Sequence, residues 1–476
     1  MKRGGKEVSV KHPIIQKRIN KSLKLSVREG SAASVSTSLG MSYFSPFALA
    51  MSATSSQIGI LHALASLLPS LVQIKASKLI EKYSRKKIVL WGLVAQILLW
   101  VPIVLAGILH YLGVPYMVWA LVGLIGLFYV SSALAHPAWF SWMGSLVPED
   151  ERGRYFSRRN RAAGFFGLVS MVLGAIILDY AKELGSIAGN ILGYTLLGFG
   201  ILFAIAAISR IWSWTLLARQ YEPRLKIRKK DYFSFWQFLK KAPETPFGRF
   251  AIFRSVFGIA VGIASPFWAV YMLRDLGFSY IWFVAITVSV TVFQLMFLPL
   301  LGKFSDRFGN ARLMKVSATL IIFTPLLWLA STLIGSDIGV KIYLLFAPAI
   351  VEGFAWAGFN LATNNYVYDS VSQPKQGFGL SYMNLLVGLG AFVGAGIGSL
   401  IALMNIQFMN VLLFIFLVSA IGRLVVAYVG LGQLREVRHV KKFSSSFLIK
   451  EFHPVQGIVR EVHHLNPFES KDRHHI

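Results

Sequence analysis

Few ionisable side chains interrupt the apolar runs of this 476-residue chain. A charge held in hydrocarbon is costly, so each such residue is a functional candidate. Glu352 stands foremost as the one acid near mid-depth of its predicted helix, about 16 Å along at 1.5 Å per residue. Trp356 and Asn360 follow at helical spacing on the same face. A carboxyl there can exchange a proton or pair with a cationic solute on which Trp356 stacks; equally, it can bond to a neighbouring helix and serve packing alone. His136, beside Pro137 and one turn from Trp139, can titrate or sit neutral on a backbone group. Ser34, Ser38, Ser42 and Ser45 make a hydroxyl stripe that suits either solute contact or close helix packing. Arg254 can draw an anion inward or snorkel to the interface near Arg249. Arg210 and Arg423 read as bundle structure, and His62 as structural.

The elements that must position these residues follow from composition. Charged residues make up 14% of the chain and hydrophobic ones 55%, with a mean hydropathy of +0.59, whereas soluble chains carry about 25% charged residues. Ile88 to Tyr111 and Val114 to Leu146 contain no Asp, Glu, Lys or Arg and are long enough to cross a bilayer as helices. Period-two alternation is absent, which leaves helices over a barrel. Spans are predicted at 30–51, 56–74, 88–111, 114–146, 162–181, 188–217, 250–273, 279–301, 313–335, 342–369, 378–403 and 407–430. A net charge of +27 would suggest nucleic acid, but the basic residues fall almost entirely on one side of these spans. Lys182, Arg274 and Lys341 are the exceptions outside, and Arg210, Arg254 and Arg423 lie within spans. The asymmetry is the positive-inside pattern, so the expectation is a multi-pass protein of the cell membrane with both termini cytoplasmic, whose charge meets lipid headgroups and no nucleic acid. The basic first thirty residues hold no apolar stretch of the signal-peptide kind, and the absence of cysteine excludes thiol chemistry.

The two halves repeat. Ser45-Pro46-Phe47 recurs as Ser265-Pro266-Phe267, Gly153 as Gly377, and Ala207-Ile208-Ser209-Arg210 as Ala420-Ile421-Gly422-Arg423, in the same order. Six helices duplicated in parallel account for this. The organisation expected is a basic segment at 1–29, a six-helix bundle at 30–217, a linker at 218–249, a second six-helix bundle at 250–430, and a tail at 431–476. The linker places Phe233, Phe235, Trp236 and Phe238 beside Lys240 and Lys241, as a helix lying at the headgroups would.

A further repeated pair carries a family resemblance. Ser77-x3-Glu81-Lys82-x-Ser84-x2-Lys87 is matched by Gly302-x3-Asp306-Arg307-x-Gly309-x2-Arg312. The second copy resembles the loop signature of the major facilitator superfamily, and Arg152-Gly153-Arg154 after the fourth span is similar to that family's second such loop. The resemblance implies an all-α membrane protein with twelve transmembrane helices in two parallel-repeated six-helix bundles around a central cavity, working by alternating access. It also implies that Glu81, Lys82, Gly302, Asp306, Arg307, Gly309, Arg312 and Arg152 form a conformational latch. Physically, Gly309 permits a tight turn, and adjacent acids and bases can tie helix ends together.

The expected function is secondary active transport of a small solute, with proton coupling at Glu352. The different-class alternative is a non-transporting or lipid-handling membrane protein on the same fold. No enzyme activity, cofactor or metal is expected, since paired intramembrane carboxylates, zinc-ligand helix motifs and phosphate-cradling loops do not occur in the sequence. Solute-contact candidates are Glu352, Trp356, Asn360, His136, Trp139, Ser38, Ser42 and Arg254.

Overall fold

The structure is a computed structural model that describes residues 13–147, 152–223, 234–371 and 376–437, with all their side chains except those of 14, 73–82, 152–154, 157 and 376–378. The side chains of Glu81, Lys82 and Arg152 therefore lie outside the described residues. So do the linker bases Arg224, Lys226, Arg228, Lys229 and Lys230.

Among the described residues the regular structure is helical. In chain order it comprises α1 (Pro13–Leu39), α2 (Phe44–Ala50), α3 (Ser55–Lys82), α4 (Arg85–Tyr111), α5 (Met117–Leu146), α6 (Arg152–Ile187), α7 (Ile191–Ala218), α8 (Phe235–Lys241), α9 (Pro246–Ala264), α10 (Phe267–Val270), α11 (Tyr280–Phe308), α12 (Asn310–Ala330), α13 (Asp337–Ser370), α14 (Gln376–Ile401) and α15 (Val411–Gly430). Eleven spans among the described residues are long and apolar enough to cross a membrane, which makes this a multi-pass membrane protein. The first predicted span has a different form. It begins at Pro13 rather than residue 30, runs to Leu39, breaks at Gly40 and resumes through a 3-10 turn (Met41–Tyr43) as α2. Its polar opening turns keep it below the apolar standard, yet α1 buries Ser22, Ser26 and Glu29. With α1 and α2 as one element, the twelve-helix plan holds.

The helices divide into two compact units. The first is Met1–Ser52 with Leu71–Arg228, and the second is Ala53–Ser70 with Lys229–Ile476. The opening turns of α3 thus pack with the second unit, so a boundary drawn by sequence order alone does not follow the packing. Each unit repeats one pattern of neighbours. In the first, α1 packs on α6 and α7, and α4 on α5 and α7; in the second, α9 packs on α14 and α15, and α12 on α13 and α15. The shared pattern is the structural form of the sequence repeat.

Aromatic side chains fill the first core. Phe44 meets Phe128 edge-on at 5.3 Å and Trp100 at 5.7 Å, while Phe47 meets Phe203 at 5.0 Å. This cluster seats α2 after the Gly40 break. In the second unit Ser265 Oγ donates to the Val261 carbonyl at 2.9 Å. Pro266, lacking an N–H, interrupts the helix there before α10 and a π-turn at Tyr271–Asp275. Helix α8 carries a capping box at Ser234 and Gln237 and packs Phe238 against Phe247 and Tyr382, leaving Trp236 exposed.

Small residues bring α14 onto α9. Gly390, Gly394 and Gly398 lie against the carbonyls of Ser255, Ile259 and Ile263. A Cβ built on Gly394 would come within 2.9 Å of Gly262 Cα and closer still to the Ile259 carbonyl oxygen, a backbone group that cannot move aside. The ridge therefore fixes how closely the two helices pack. Gly394→Leu is expected to lower stability by about 1–3 kcal/mol or more through overpacking, read as a fall in the midpoint of thermal unfolding. An unchanged midpoint would show that α14 can withdraw from α9 at no cost.

Candidate substrate cavity

The interruption at Ser265-Pro266 borders a cavity of about 220 Å³ wholly within the second unit. Helix α9 contributes Arg254, Phe257 and Val261, and its capping residue Ser265 follows; α13 contributes Trp356 and Phe359, α14 contributes Val387, Ala391 and Ala395, and α3 contributes His62 and Ser66. Arg254 is half-buried at the cavity wall. Its Nη1 donates to Thr363 Oγ1 at 3.2 Å, its guanidinium lies 5.2 Å from the Phe359 ring centroid, and its buried Nε has no hydrogen-bond partner. Ser66 Oγ donates to the His62 carbonyl at 2.9 Å. The hydroxyl protons of Ser66 and Ser265 are both spent on their own helices, which leaves oxygen lone pairs toward the space. Arginine, aromatic rings and apolar walls together suit a small solute with one polar end.

The sequence candidates do not all converge here. Trp356 and Arg254 line the cavity, whereas Glu352, one turn from Trp356, does not. Its Oε1 accepts from Trp328 Nε1 at 3.2 Å, and the buried Arg423 guanidinium acts on it electrostatically. Arg423 in turn donates to Thr324 Oγ1 at 2.7 Å and to the Ile321 carbonyl at 2.9 Å. Asn360 is exposed. In the first unit, Ser34 and Ser38 point their hydroxyls at Gly167 of α6, so part of that stripe sits in a helix contact. Ser42 is half-buried in the 3-10 turn, and His136 is exposed with its ring 6.4 Å from that of Trp139. His62, Ser66 and Ser265 complete the lining and were not expected. A sequence signal for Ser265 existed in the Ser-Pro-Phe repeat, but nothing local marks the α3 residues, whose helix begins in the opposite half of the chain.

The first unit holds a buried charge cluster that the predicted start of helix 1 hid. Glu29 is 4% exposed, accepts from Arg159 Nη2 at 3.0 Å and from Ser213 Oγ at 3.1 Å, and lies in the field of Arg210. Arg159 also stacks over Trp139 at 4.4 Å. Helices α1, α6 and α7 are thereby joined through one carboxylate.

The loop motif also proves to be part of a larger joint. Gly309 has φ +97°, which favours glycine, and a side chain there would strike the Glu436 carboxylate. Glu436 accepts from the Ala311 N–H at 2.8 Å, Asn310 Nδ2 donates to Asp369 at 2.7 Å, and Ser305 hydrogen-bonds the Asn310 carboxamide. Asp306 and Arg307 are exposed, with Arg307 5.5 Å from the Phe308 ring, Gly302 faces open space and Arg312 is half-buried. The first unit repeats the device: the Arg85 N–H donates to Glu222 at 2.8 Å, and Trp142 Nε1 donates to the Tyr221 carbonyl at 2.9 Å, as the Tyr366 hydroxyl donates to the Arg435 carbonyl at 2.9 Å. In each unit a carboxylate beyond the last helix meets the positive N-terminal end of α4 or α12.

Removing one member of a buried ion pair leaves an uncompensated charge. Glu29→Gln should therefore cost about 3–5 kcal/mol, and the Glu29→Gln, Arg159→Gln double variant should cost less than the sum of the single ones. Thermal unfolding of the three variants checks this, and additive losses would mean the pair is not coupled.

Comparison with known proteins agrees with this architecture. A search of curated protein sequences finds no match. Among solved structures, the chain is similar to a bacterial homologue of the iron transporter ferroportin in an inward-facing state (TM-score 0.64, 15% identity, covering 89% of this chain and 100% of that one). It is also similar to a D-xylose-proton symporter (TM-score 0.63, 15% identity, 90% and 100%) and to the nucleoside transporter NupG (TM-score 0.56, 16% identity, 88% and 99%). The family model described as Major Facilitator Superfamily matches residues 30–284 and 250–461. The chain therefore belongs to the major facilitator superfamily, a family of membrane transporters and not of enzymes.

Proposed function

We propose that this protein is a secondary active transporter that carries a small solute by alternating access, with the cavity at Arg254 and Trp356 as its binding site. The observation that carries this reading is a polar-ended, aromatic-walled cavity set beside the Ser265-Pro266 interruption of α9. An interrupted helix can shift about its break, and a solute can shift the balance of conformations only if it binds one of them better. The glycine joint at Gly309 and the paired carboxylates Glu222 and Glu436 supply contacts that a switch can make and break. The same reading places the protein in the cell membrane with both termini cytoplasmic, following the distribution of lysine and arginine.

Reconstitution into proteoliposomes tests the transport reading. Saturable solute uptake, accelerated by an imposed ion gradient, is the expected result, and Trp356→Ala should raise KM while leaving folded yield intact. Solute movement that never exceeds that of empty liposomes across a broad metabolite panel would refute it. In the same assay an imposed pH gradient identifies the proton as coupling ion. If Glu352 exchanges that proton, Glu352→Gln abolishes the pH dependence; if Glu352 only balances Arg423, the variant loses stability and keeps the pH profile. Orientation is testable because the chain has no cysteine. A cysteine placed at exposed Gly335 should be labelled from outside intact cells, and one at exposed Gln433 only after permeabilisation; the reverse would invert the topology.

A further inference from the structure

We infer that the cavity takes a small organic monoanion, a carboxylate with an aromatic or apolar body, whose charge is paired with the Arg254 guanidinium. This deepens, and rests on, the transporter reading of the same cavity.

The inference comes from comparing the three arginines that lie within apolar spans. Arg210 lies within the electrostatic reach of the Glu29 carboxylate, and Arg423 within that of Glu352. Each cation thus has an anion supplied by its own unit, which is how a buried charge is normally tolerated. Arg254 has none. Its contacts are one threonine hydroxyl and one aromatic face, and its Nε is buried without a hydrogen bond, as are those of Arg210 and Arg423; unlike them, it borders a cavity that no described Asp or Glu lines. A guanidinium presents five donors in a planar fork that fits a carboxylate in two parallel bonds. An anion entering the cavity would satisfy donors that the protein leaves open, whereas a cation would meet the bare repulsion of the same charge.

The walls define the rest of the solute. Trp356, Phe257 and Phe359 offer ring faces, and Val261, Val387 and Ala391 offer aliphatic surface, so the body of the solute is apolar. The volume of about 220 Å³ falls below the common range of drug-sized sites, roughly 300–1,000 Å³, and so favours a metabolite of benzoate size. A single arginine matches a single negative charge, which favours a monoanion over a phosphate dianion. The serine hydroxyls at the margin, with their protons engaged, can accept bonds from a hydroxyl or amide substituent.

The test uses the full-length protein in detergent or nanodiscs and three probes of nearly equal shape: benzoate, benzyl alcohol and benzylammonium. Calorimetric titration of the wild type should show benzoate binding at least about tenfold more tightly than either of the others, the equivalent of one charge-assisted hydrogen bond. Arg254→Gln should remove that preference and leave benzyl alcohol unchanged; Arg254→Lys, which keeps the charge but not the fork, should retain part of it. The wild-type ranking stands as a test even if the variants fold poorly. Benzylammonium or benzyl alcohol binding as tightly as benzoate, or benzoate binding unaltered in Arg254→Gln, would overturn the inference, as would no benzoate binding at millimolar concentration. The two readings fail separately. If benzoate binds at Arg254 but never crosses a proteoliposome membrane, the transport reading falls and the site stands. If cations or neutral solutes are transported instead, the site assignment falls and transport stands.

Discussion

A guanidinium placed inside an apolar helical unit must find its counter-charge and its hydrogen-bond partners within reach, because the surrounding hydrocarbon supplies neither. That constraint organises both units of this protein. Glu29 answers Arg159 and Arg210, Glu352 answers Arg423, and Glu222 answers Arg85. The Glu29–Arg159 pair ties α1 to α6, and the Glu222–Arg85 pair ties the segment after α7 to α4, so the bonds that make these charges tolerable also fix the packing around them. Arg254 departs from this pattern, having no described carboxylate beside it, at a place where a helix interruption, a cavity and an aromatic lining meet.

The repeated joint explains how units of this kind can be both firm and switchable. A carboxylate following the last helix of each unit reaches the first N–H groups of α4 or α12, where the helix dipole favours negative charge. Such contacts depend on charge and orientation more than on buried area, so they can be exchanged at modest cost. The glycine ridge of α14 on α9 is of the opposite kind. Backbone carbonyls there admit no Cβ, so the wall of the cavity that carries Arg254 is held at a fixed spacing from the wall that carries Ala391. A rigid cavity wall beside an interrupted helix is a reasonable physical basis for selectivity combined with movement.

Much of this was legible in the sequence. The uncharged runs announced the spans, the ordered repeats announced the duplication, and Gly309 announced a turn whose left-handed backbone the structure bears. The start of the first helix was not legible. Its opening turns carry lysines and serines that read as a solvated tail, but one face of that segment is buried, and hydropathy averaged over a window cannot see a single buried face. Glu29 was lost with it. Glu352 stands out in the sequence as an acid within an apolar span, while its neighbours Trp328 and Arg423 come from other helices and carry no local signal. His62 and Ser66 were missed for a related reason: they belong by chain order to the first half and by packing to the second.

The account turns on an anion meeting Arg254, and the most direct measurement is a diffraction experiment on crystals grown with 4-bromobenzoate. The bromine marks one end of the solute by its anomalous signal, and the carboxylate marks the other by its density. The account predicts bromine among the rings of Trp356, Phe257 and Phe359, with both carboxylate oxygens on the Arg254 guanidinium. Bromine located elsewhere in the molecule, or a solute in this cavity with its carboxylate turned away from Arg254, would contradict it.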